Sequence, residues 1–313
     1  MNPPHPCIGL LGPQRFDPNL SEVVRALKVE PPIAIVTAGW QERESEDEEL
    51  RDHLGVEVRN LRIWERVERV FDEDPELLDG LRSRFDSLRR LQELYDVRLA
   101  HALEAARELC ARSEPAELLE PEIEDALAAV RSLDEHHLQR VSELNADFES
   151  AWRLDERDAL GAAREAVAAE LADSRALCLA GGHVAVLLTR MRLLGVLDAW
   201  DERPLIGWAA GAMVLCERVV LFHDSPPQGA GNAEVFAPGF GLCPDVVALP
   251  HASRRLDLED PVRVGLLARR FAPARCGALD PKSGLLVQGG QLRPLNGTRE
   301  LCADGRVAEV AVA

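Results

Sequence analysis

Short apolar runs and turn residues alternate in the first 60 residues of the chain. The runs at 7–11 and 33–37 are bounded by Pro and Gly and predict buried strands. Apolar residues between them recur at helical spacing and predict a helix at 20–29, and a third strand is predicted at 56–63.

The same alternation returns after residue 154. Helices are predicted at 155–172, 184–194 and 210–216, and strands at 176–180, 205–207, 219–222, 246–249 and 285–287. Strands that alternate with helices indicate a mostly parallel sheet with helices on both faces, so the predicted fold class is α/β. We assign residues 1–63 and 154–313 to one discontinuous α/β domain.

Residues 64–153 follow a different period, because glycine is almost absent and apolar positions are spaced by three and four. One seam runs through Leu81, Phe85, Leu88, Gln92, Tyr95, Leu99, Ala102, Ala106 and Leu109, and a second through Leu119, Ile123, Ala126, Val130, Leu133, His137, Val141, Leu144, Phe148 and Ala151. A break at 113–115 predicts an antiparallel helical hairpin. We interpret 64–153 as an insertion with coiled-coil periodicity that binds a second copy of the chain or another protein.

Composition narrows the classes of function. Hydrophobic residues make up 46% of the 313 residues, which is enough for a large core, and the formal net charge is −18. An acidic chain lacks the basic surface that nucleic acids and anionic membranes require, so neither partner is expected. No apolar stretch approaches the length of a membrane span, and no signal peptide is recognised, so the predicted location is cytoplasmic.

The sequence offers no metal site and no cofactor motif. The seven cysteines are dispersed, with no CxxC pair, and are predicted to be free thiols. His136 and His137 are adjacent in a predicted helix, where neighbouring side chains point about 100° apart and cannot chelate one ion. We therefore expect neither a metal nor a cofactor.

The segment GWAAGA at 207–212 has the pattern of a nucleophile elbow. In a G-x-S-x-G elbow, small residues allow a sharp strand-to-helix turn that exposes the central side chain at the end of the sheet. Gly207 and Gly211 occupy the two glycine positions, but Ala209 stands where Ser or Cys is expected. The elbow predicts a positive φ at Ala209.

These residues resemble the G-x-S-A-G-A elbow of the aspartyl dipeptidase (peptidase E) and cyanophycinase family. Other segments agree in order and spacing: LAGGH at 179–183 resembles the GGN segment of the family, HDSP at 223–226 resembles a segment with a triad acid, and LPH at 249–251, after GFGL at 239–242, resembles the run that carries the catalytic His. The resemblance implies a class I glutamine amidotransferase-like fold and a serine-type peptidase ancestry for residues 1–60 and 154–300.

The resemblance also implies roles for individual residues. His251 would be the general base, Asp224 its orienting acid, and the backbone N–H groups of Gly182 and Ala210 the oxyanion hole. Ala209 would hold the place of the nucleophile without an attacking atom. His183 replaces the Asn of the family on the substrate side.

Two basic residues follow the proposed base in the sequence. Arg254 and Arg255 are candidates for holding the carboxylate of a small peptide near His251, although a solvated surface explains them equally well.

Three functional hypotheses remain open at this point. The first is a catalytically inactive relative that binds or scaffolds through the helical hairpin, as a homodimer or with another protein. The second is an active hydrolase of small peptides that uses water activated by His251, or another nucleophile such as Cys216 or Ser225. In the third, Ala209 is an engineered replacement of a natural Ser. We favour the first, because losing a triad nucleophile costs roughly six orders of magnitude in turnover.

Overall fold

The computed structural model describes residues 7–224 and 231–311. Its strands form a seven-stranded sheet in the order β11-β10-β1-β5-β4-β2-β3, a four-stranded sheet in the order β13-β12-β9-β8, and the pair β6-β7. The strands are β1 Ile8–Leu11, β2 Ile33–Val36, β3 Val58–Asn60, β4 Ala176–Leu179, β5 Leu205–Trp208, β6 Arg218–Leu221, β7 Glu234–Pro238, β8 Val246–Pro250, β9 Arg275–Leu279, β10 Gly284–Gln288, β11 Gln291–Leu295, β12 Arg299–Leu301 and β13 Val307–Glu309.

Helices separate most of the parallel strands. They are α1 Leu20–Ala26, α2 Glu48–Leu54, α3 Ile63–Glu73, α4 Pro75–Cys110, α5 Ala116–Ala151, α6 Asp158–Ala172, α7 Val184–Leu193, α8 Ala210–Leu215, α9 Ala252–Arg255 and α10 Pro261–Phe271, with 3-10 turns at Ala38–Arg43 and Leu154–Glu156. No helix among the described residues has the length and apolar character needed to cross a membrane.

The central sheet is parallel from β1 to β3, as the alternation of elements predicts. Its strands β1, β2, β4 and β5 are buried along their whole length, which explains their uninterrupted apolar sequences. Successive side chains point to opposite faces: Ile33 and Ile35 pack with α1 and α2, whereas Ala34 and Val36 pack with helices on the other face. Helices therefore cover both faces, and the α/β prediction is confirmed.

The remaining strands add antiparallel pairs that the sequence analysis largely missed. Strands β10 and β11 extend the edge beyond β1, while β12 and β13 pair beside β9. Strands β8 and β9 are parallel, with Pro250 opposite Leu279, so both end at the same edge of their sheet.

The predicted helical hairpin consists of α4 and α5, which have 36 residues each. At 1.5 Å per residue, each is about 54 Å long. Helix α4 begins with Pro75, and the side chain of the preceding Asp74 accepts a hydrogen bond from the Leu77 N–H. Phe85 was predicted in the apolar seam, but its side chain is 41% exposed because it faces a cleft beside the hairpin.

The hairpin lies along the α/β part of the chain and packs on β7 and α10. Tyr95 of α4, Asp134 of α5 and Arg270 of α10 form a buried network at this contact. Because these polar groups satisfy one another across three helices, they fix how the hairpin sits on the core.

Candidate active site

A sharp turn joins β5 to α8 at the predicted elbow. Its central residue, Ala209, has φ 49° and ψ −116°, as the elbow predicts, and is half-buried. A Cβ placed on Gly211 would lie 2.1 Å from the Leu179 carbonyl oxygen, and one on Gly207 would lie 2.4 Å from the Gly211 carbonyl oxygen. The two glycines are therefore required by close packing, and this packing holds a non-glycine residue in a strained conformation that costs about 1–3 kcal/mol.

The loop after β4 lies directly against the elbow. A Cβ placed on Gly181 would be 3.0 Å from the Cβ of Ala209. Gly182 has φ 123°, and a Cβ there would lie 2.4 Å from the Gly39 carbonyl oxygen, which accepts a 2.8 Å hydrogen bond from the His183 N–H. The 181–183 loop is thus held between the elbow and the turn that follows β2.

Two backbone donors at this loop and the elbow have no acceptor within the described chain. Ala210 is the first residue of α8, so the helix offers its N–H no partner. The Gly182 N–H likewise donates no hydrogen bond to a described residue. Both groups, predicted to form an oxyanion hole, are available to an external acceptor.

His251 follows β8 and adopts a left-handed conformation, with φ 59° and ψ 32°. Its N–H donates a 3.0 Å hydrogen bond to the Leu279 carbonyl of the neighbouring strand β9. Burial lowers the pKa of the imidazole below 6.5, and the charges of Arg255 and Arg254 lower it further against the opposing effect of Asp280. The lowered pKa favours the neutral imidazole, which is the form that can accept a proton.

Asp280 is a carboxylate whose charge acts on His251, and the sequence analysis missed it; no hydrogen bond joins the two side chains among the described residues. Asp280 directly follows β9, and its oxygens accept hydrogen bonds from the Ser253 N–H at 3.0 Å, the Ser253 Oγ at 2.5 Å and the Arg299 Nη2 at 3.4 Å. The sequence does contain a signal for Asp280, because an acidic residue stands between the apolar run at 276–279 and Pro281. The sequence analysis did not assign that run to a strand, so the end of the strand was not recognised.

Gly12, which follows β1, lies between the elbow at Ala209 and the end of β9 at Asp280. The Ala209 N–H donates a 3.0 Å hydrogen bond to the Leu11 carbonyl at the end of β1. A Cβ placed on the next residue, Gly12, would lie 1.9 Å from the Asp280 carbonyl oxygen. The elbow, Asp280 and His251 therefore share the carboxyl edge of the parallel strands, where ligands of open α/β sheets bind.

Asp224 lies in a different network from the one predicted for it. Its carboxylate accepts 2.5 and 2.7 Å hydrogen bonds from the Arg263 side chain and the Asp257 N–H, and its own N–H donates to the Arg255 carbonyl at 2.7 Å. No hydrogen bond joins it to His251 among the described residues. Asp224 fixes the segment that follows the histidine.

The other candidate residues are found at the periphery of the site. His183 is exposed, and its Nδ1 accepts a 3.4 Å hydrogen bond from the Val186 N–H at the start of α7. Arg254 and Arg255 are also exposed, and the side chain of Arg254 forms no hydrogen bond or ion pair with a described residue. Ser225 lies outside the described residues.

Cys216 is unsuited to act as a substitute nucleophile. It is buried at the end of α8, and its burial raises the pKa of the thiol to about 12. Because the thiolate is the nucleophile, a buried protonated thiol is unreactive.

No family model and no curated protein matches this chain. It is similar to the crystal structure of a peptidase from an acI-B1 Actinobacterium, with 16% identity and a TM-score of 0.45 over 98% of both chains. It is also similar to a Listeria monocytogenes EGD-e protein provisionally described as a peptidase E, with 10% identity and a TM-score of 0.41 over 93% of this chain and 98% of that one. Because both TM-scores are below 0.5, neither likeness bears on the activity of this chain.

Proposed function

We propose that this chain is a catalytically silent relative of the peptidase E and cyanophycinase family, with a class I glutamine amidotransferase-like fold and a binding role. The observation that carries the proposal is Ala209 itself. It occupies the strained central position of an elbow, with a methyl group where the nucleophilic hydroxyl of such a site would be.

We further propose that the other parts of an acyl-transfer site lie around this position. In this proposal His251 supplies the base, Asp280 a carboxylate whose charge acts on it, and Gly182 and Ala210 two N–H groups that donate to no described residue. In this assignment Asp280, and not Asp224, influences the histidine. A base and an oxyanion hole without a nucleophile can bind a carbonyl or carboxylate but form no acyl-enzyme.

The ligand of this site is proposed to be a small peptide. Arg254 is exposed, has no ionic partner among the described residues, and its charge reaches His251. Arginine suits planar bidentate recognition of a carboxylate, so a peptide carboxylate is the group that we expect it to hold.

The direct test restores the missing hydroxyl. We expect Ala209→Ser to react with a fluorophosphonate probe and to gain amidase or dipeptidase activity, while the unmodified chain does neither. Because the base has a lowered pKa, activity should rise with pH through a midpoint below 6.5 and then become constant. The double variant Ala209→Ser/His251→Ala is the matched control, and it should lose the gain.

Two results would contradict the proposal in different ways. A folded Ala209→Ser variant that stays inert would show that the site lacks more than its nucleophile, and His183 would be examined first. Hydrolysis of dipeptides by the unmodified chain, abolished by His251→Ala, would favour the alternative hydrolase in which neutral His251 activates water.

The hairpin is the element that we propose for contact with a second copy of the chain or with another protein. Leu94 and Val97, one turn apart on α4, are 68% and 62% exposed, and Leu118 of α5 is 67% exposed. Sedimentation of the full chain beside a Leu94→Glu/Val97→Glu variant tests the homodimer, and equal monomeric masses would exclude it.

A further inference from the structure

A large cleft lies between one part of the helical hairpin and the α/β core, and its lining does not include the elbow. Its volume is about 1030 Å³, at the upper end of the range of about 300–1,000 Å³ for ligand pockets. Its apolar walls include Leu81, Leu88, Phe148, Leu188, Phe236 and Phe240. None of Ala209, His251 and Asp280 lines it.

The guanidinium of Arg84 is the unusual feature of this cleft. It forms no hydrogen bond or ion pair with a described residue, and its Nε is buried without a partner. Two aromatic rings lie beneath it: the ring centroids of Phe148 and Phe85 are 5.0 and 5.6 Å away. Burial lowers the pKa of Arg84 to about 10, so it remains a cation at pH 7. Removing a cation from water is costly unless something neutralises it, and Arg84 is half-buried without an ionic partner among the described residues.

Arg192 of α7 brings a second cation to the same cleft. Its Nη2 donates hydrogen bonds to the Pro238 and Gly239 carbonyls at 2.7 and 3.1 Å, which hold the side chain in place without neutralising it. The charge of Arg192 contributes to the lowered pKa of Arg84, so the two cations act on each other. The attraction of Glu149 reaches both arginines, but this exposed residue forms no ion pair with either.

The acidic residues of the cleft occupy its rim. Five acidic residues line the cleft, and all are exposed: Glu93, Glu149, Asp155, Glu165 and Asp198. Arg84 and Arg192, by contrast, are half-buried. Asp155 is already paired with Arg164 at 2.7 Å. A positive floor, apolar walls and an acidic rim favour one anionic group at the floor and disfavour a polyanion.

We propose that this cleft binds a single-chain amphiphile with one carboxylate, of the long-chain aliphatic acid class. The carboxylate lies between Arg84 and Arg192 and accepts the hydrogen bonds that Arg84 does not make within the chain. The alkyl chain packs along the apolar walls. This site is independent of the elbow and of the function proposed for it.

The test compares three ligands of equal chain length on the full chain by titration calorimetry: dodecanoate, dodecanol and dodecylammonium, each below its micellar concentration. We expect dodecanoate to bind best and dodecylammonium worst. Arg84→Gln should weaken dodecanoate about 10- to 100-fold, the range for hydrogen bonds to charged groups, and leave dodecanol unchanged. Because the Arg84 side chain forms no hydrogen bond with a described residue, this substitution leaves none of those residues without a partner.

Two further variants locate the site. Arg89→Gln is the matched control, since Arg89 lines the same cleft but is exposed and lies 3.3 Å from Asp86. It should leave all affinities unchanged. Ala168→Phe narrows the cleft from α6 and should weaken dodecanoate and dodecanol together. Equal binding of the three ligands, dodecanoate binding that is unaffected by Arg84→Gln, or binding that survives Ala168→Phe would each overturn the proposal.

Discussion

Replacing Asp134 with Ala leaves a buried cation without its partner. The Arg270 Nε and Nη2 donate to the two Asp134 oxygens at 2.7 Å each, and both side chains are only 1% exposed. The Tyr95 hydroxyl donates to Asp134 at 2.8 Å and accepts from Arg270 at 2.9 Å. The substitution removes the only carboxylate in this network and thereby weakens the contact between the hairpin and the core.

The size of the effect follows from this burial. Breaking a buried ion pair by removing one partner costs about 3–5 kcal/mol. The entropy of unfolding of a 313-residue chain is about 0.65 kcal/mol/K, so Asp134→Ala should lower Tm by about 5–8 °C. The double variant Asp134→Leu/Arg270→Met buries no charge and should recover most of this loss.

Thermal and urea unfolding of Asp134→Ala, of the single variants Asp134→Leu and Arg270→Met, of their double variant and of the parent chain measure this coupling. Asp79→Ala is the matched control: its pair with Arg82 is solvent-exposed and is worth about 0–1 kcal/mol. A cost below about 1 kcal/mol for Asp134→Ala would refute the reasoning. A double variant that loses the sum of both single costs would also refute it, because additivity would mean that the two charges do not interact.

Three other expectations follow from single side chains. Burial lowers the pKa of His137, so the unfolded chain binds a proton that the folded chain excludes. The free energy of unfolding should therefore fall as pH drops below 6.5, and urea unfolding at pH 5 and 7.5 should show a smaller fall of this free energy for His137→Phe than for the parent chain. Gly211→Ala, whose Cβ would meet the Leu179 carbonyl, should lower the free energy of unfolding by about 1–3 kcal/mol or more, whereas Gly161→Ala in open space should raise it by about 0.5–1 kcal/mol. Cys216 should react with a thiol reagent at pH 8 only at the rate of unfolding, and rapid labelling of the native chain would contradict its burial.

Much of the fold could be predicted because burial leaves a local signature in the sequence. Strands that are buried on both faces, such as β2 and β4, have no polar residue within them. The elbow pattern is also visible in the local sequence, although only Gly207 packs against a nearby backbone group, the Gly211 carbonyl; Gly211 itself packs against the Leu179 carbonyl of β4. The length and period of α4 and α5 likewise follow from their own sequence.

The strands that were missed have weaker patterns. Strand β9 contains Gly277 and begins with Arg275, and β11 contains Pro294 at an edge of the sheet. Their pairing depends on distant strands, so their own residues do not indicate it. Missing β9 is also the reason that Asp280 went unnoticed.

Only the tertiary structure shows that the charge of Asp280 acts on His251. Asp224 and Asp280 both follow apolar segments, and both are within 30 residues of the histidine in the sequence. Strand pairing brings the end of β9 beside the end of β8, whereas Arg263 and the Asp257 N–H hold Asp224 elsewhere. The sequence by itself determined the elbow pattern at 207–212 and the missing hydroxyl at Ala209, because both can be read from adjacent residues. The effect of Asp280 on His251 and the cleft at Arg84 depend on which distant elements pack together.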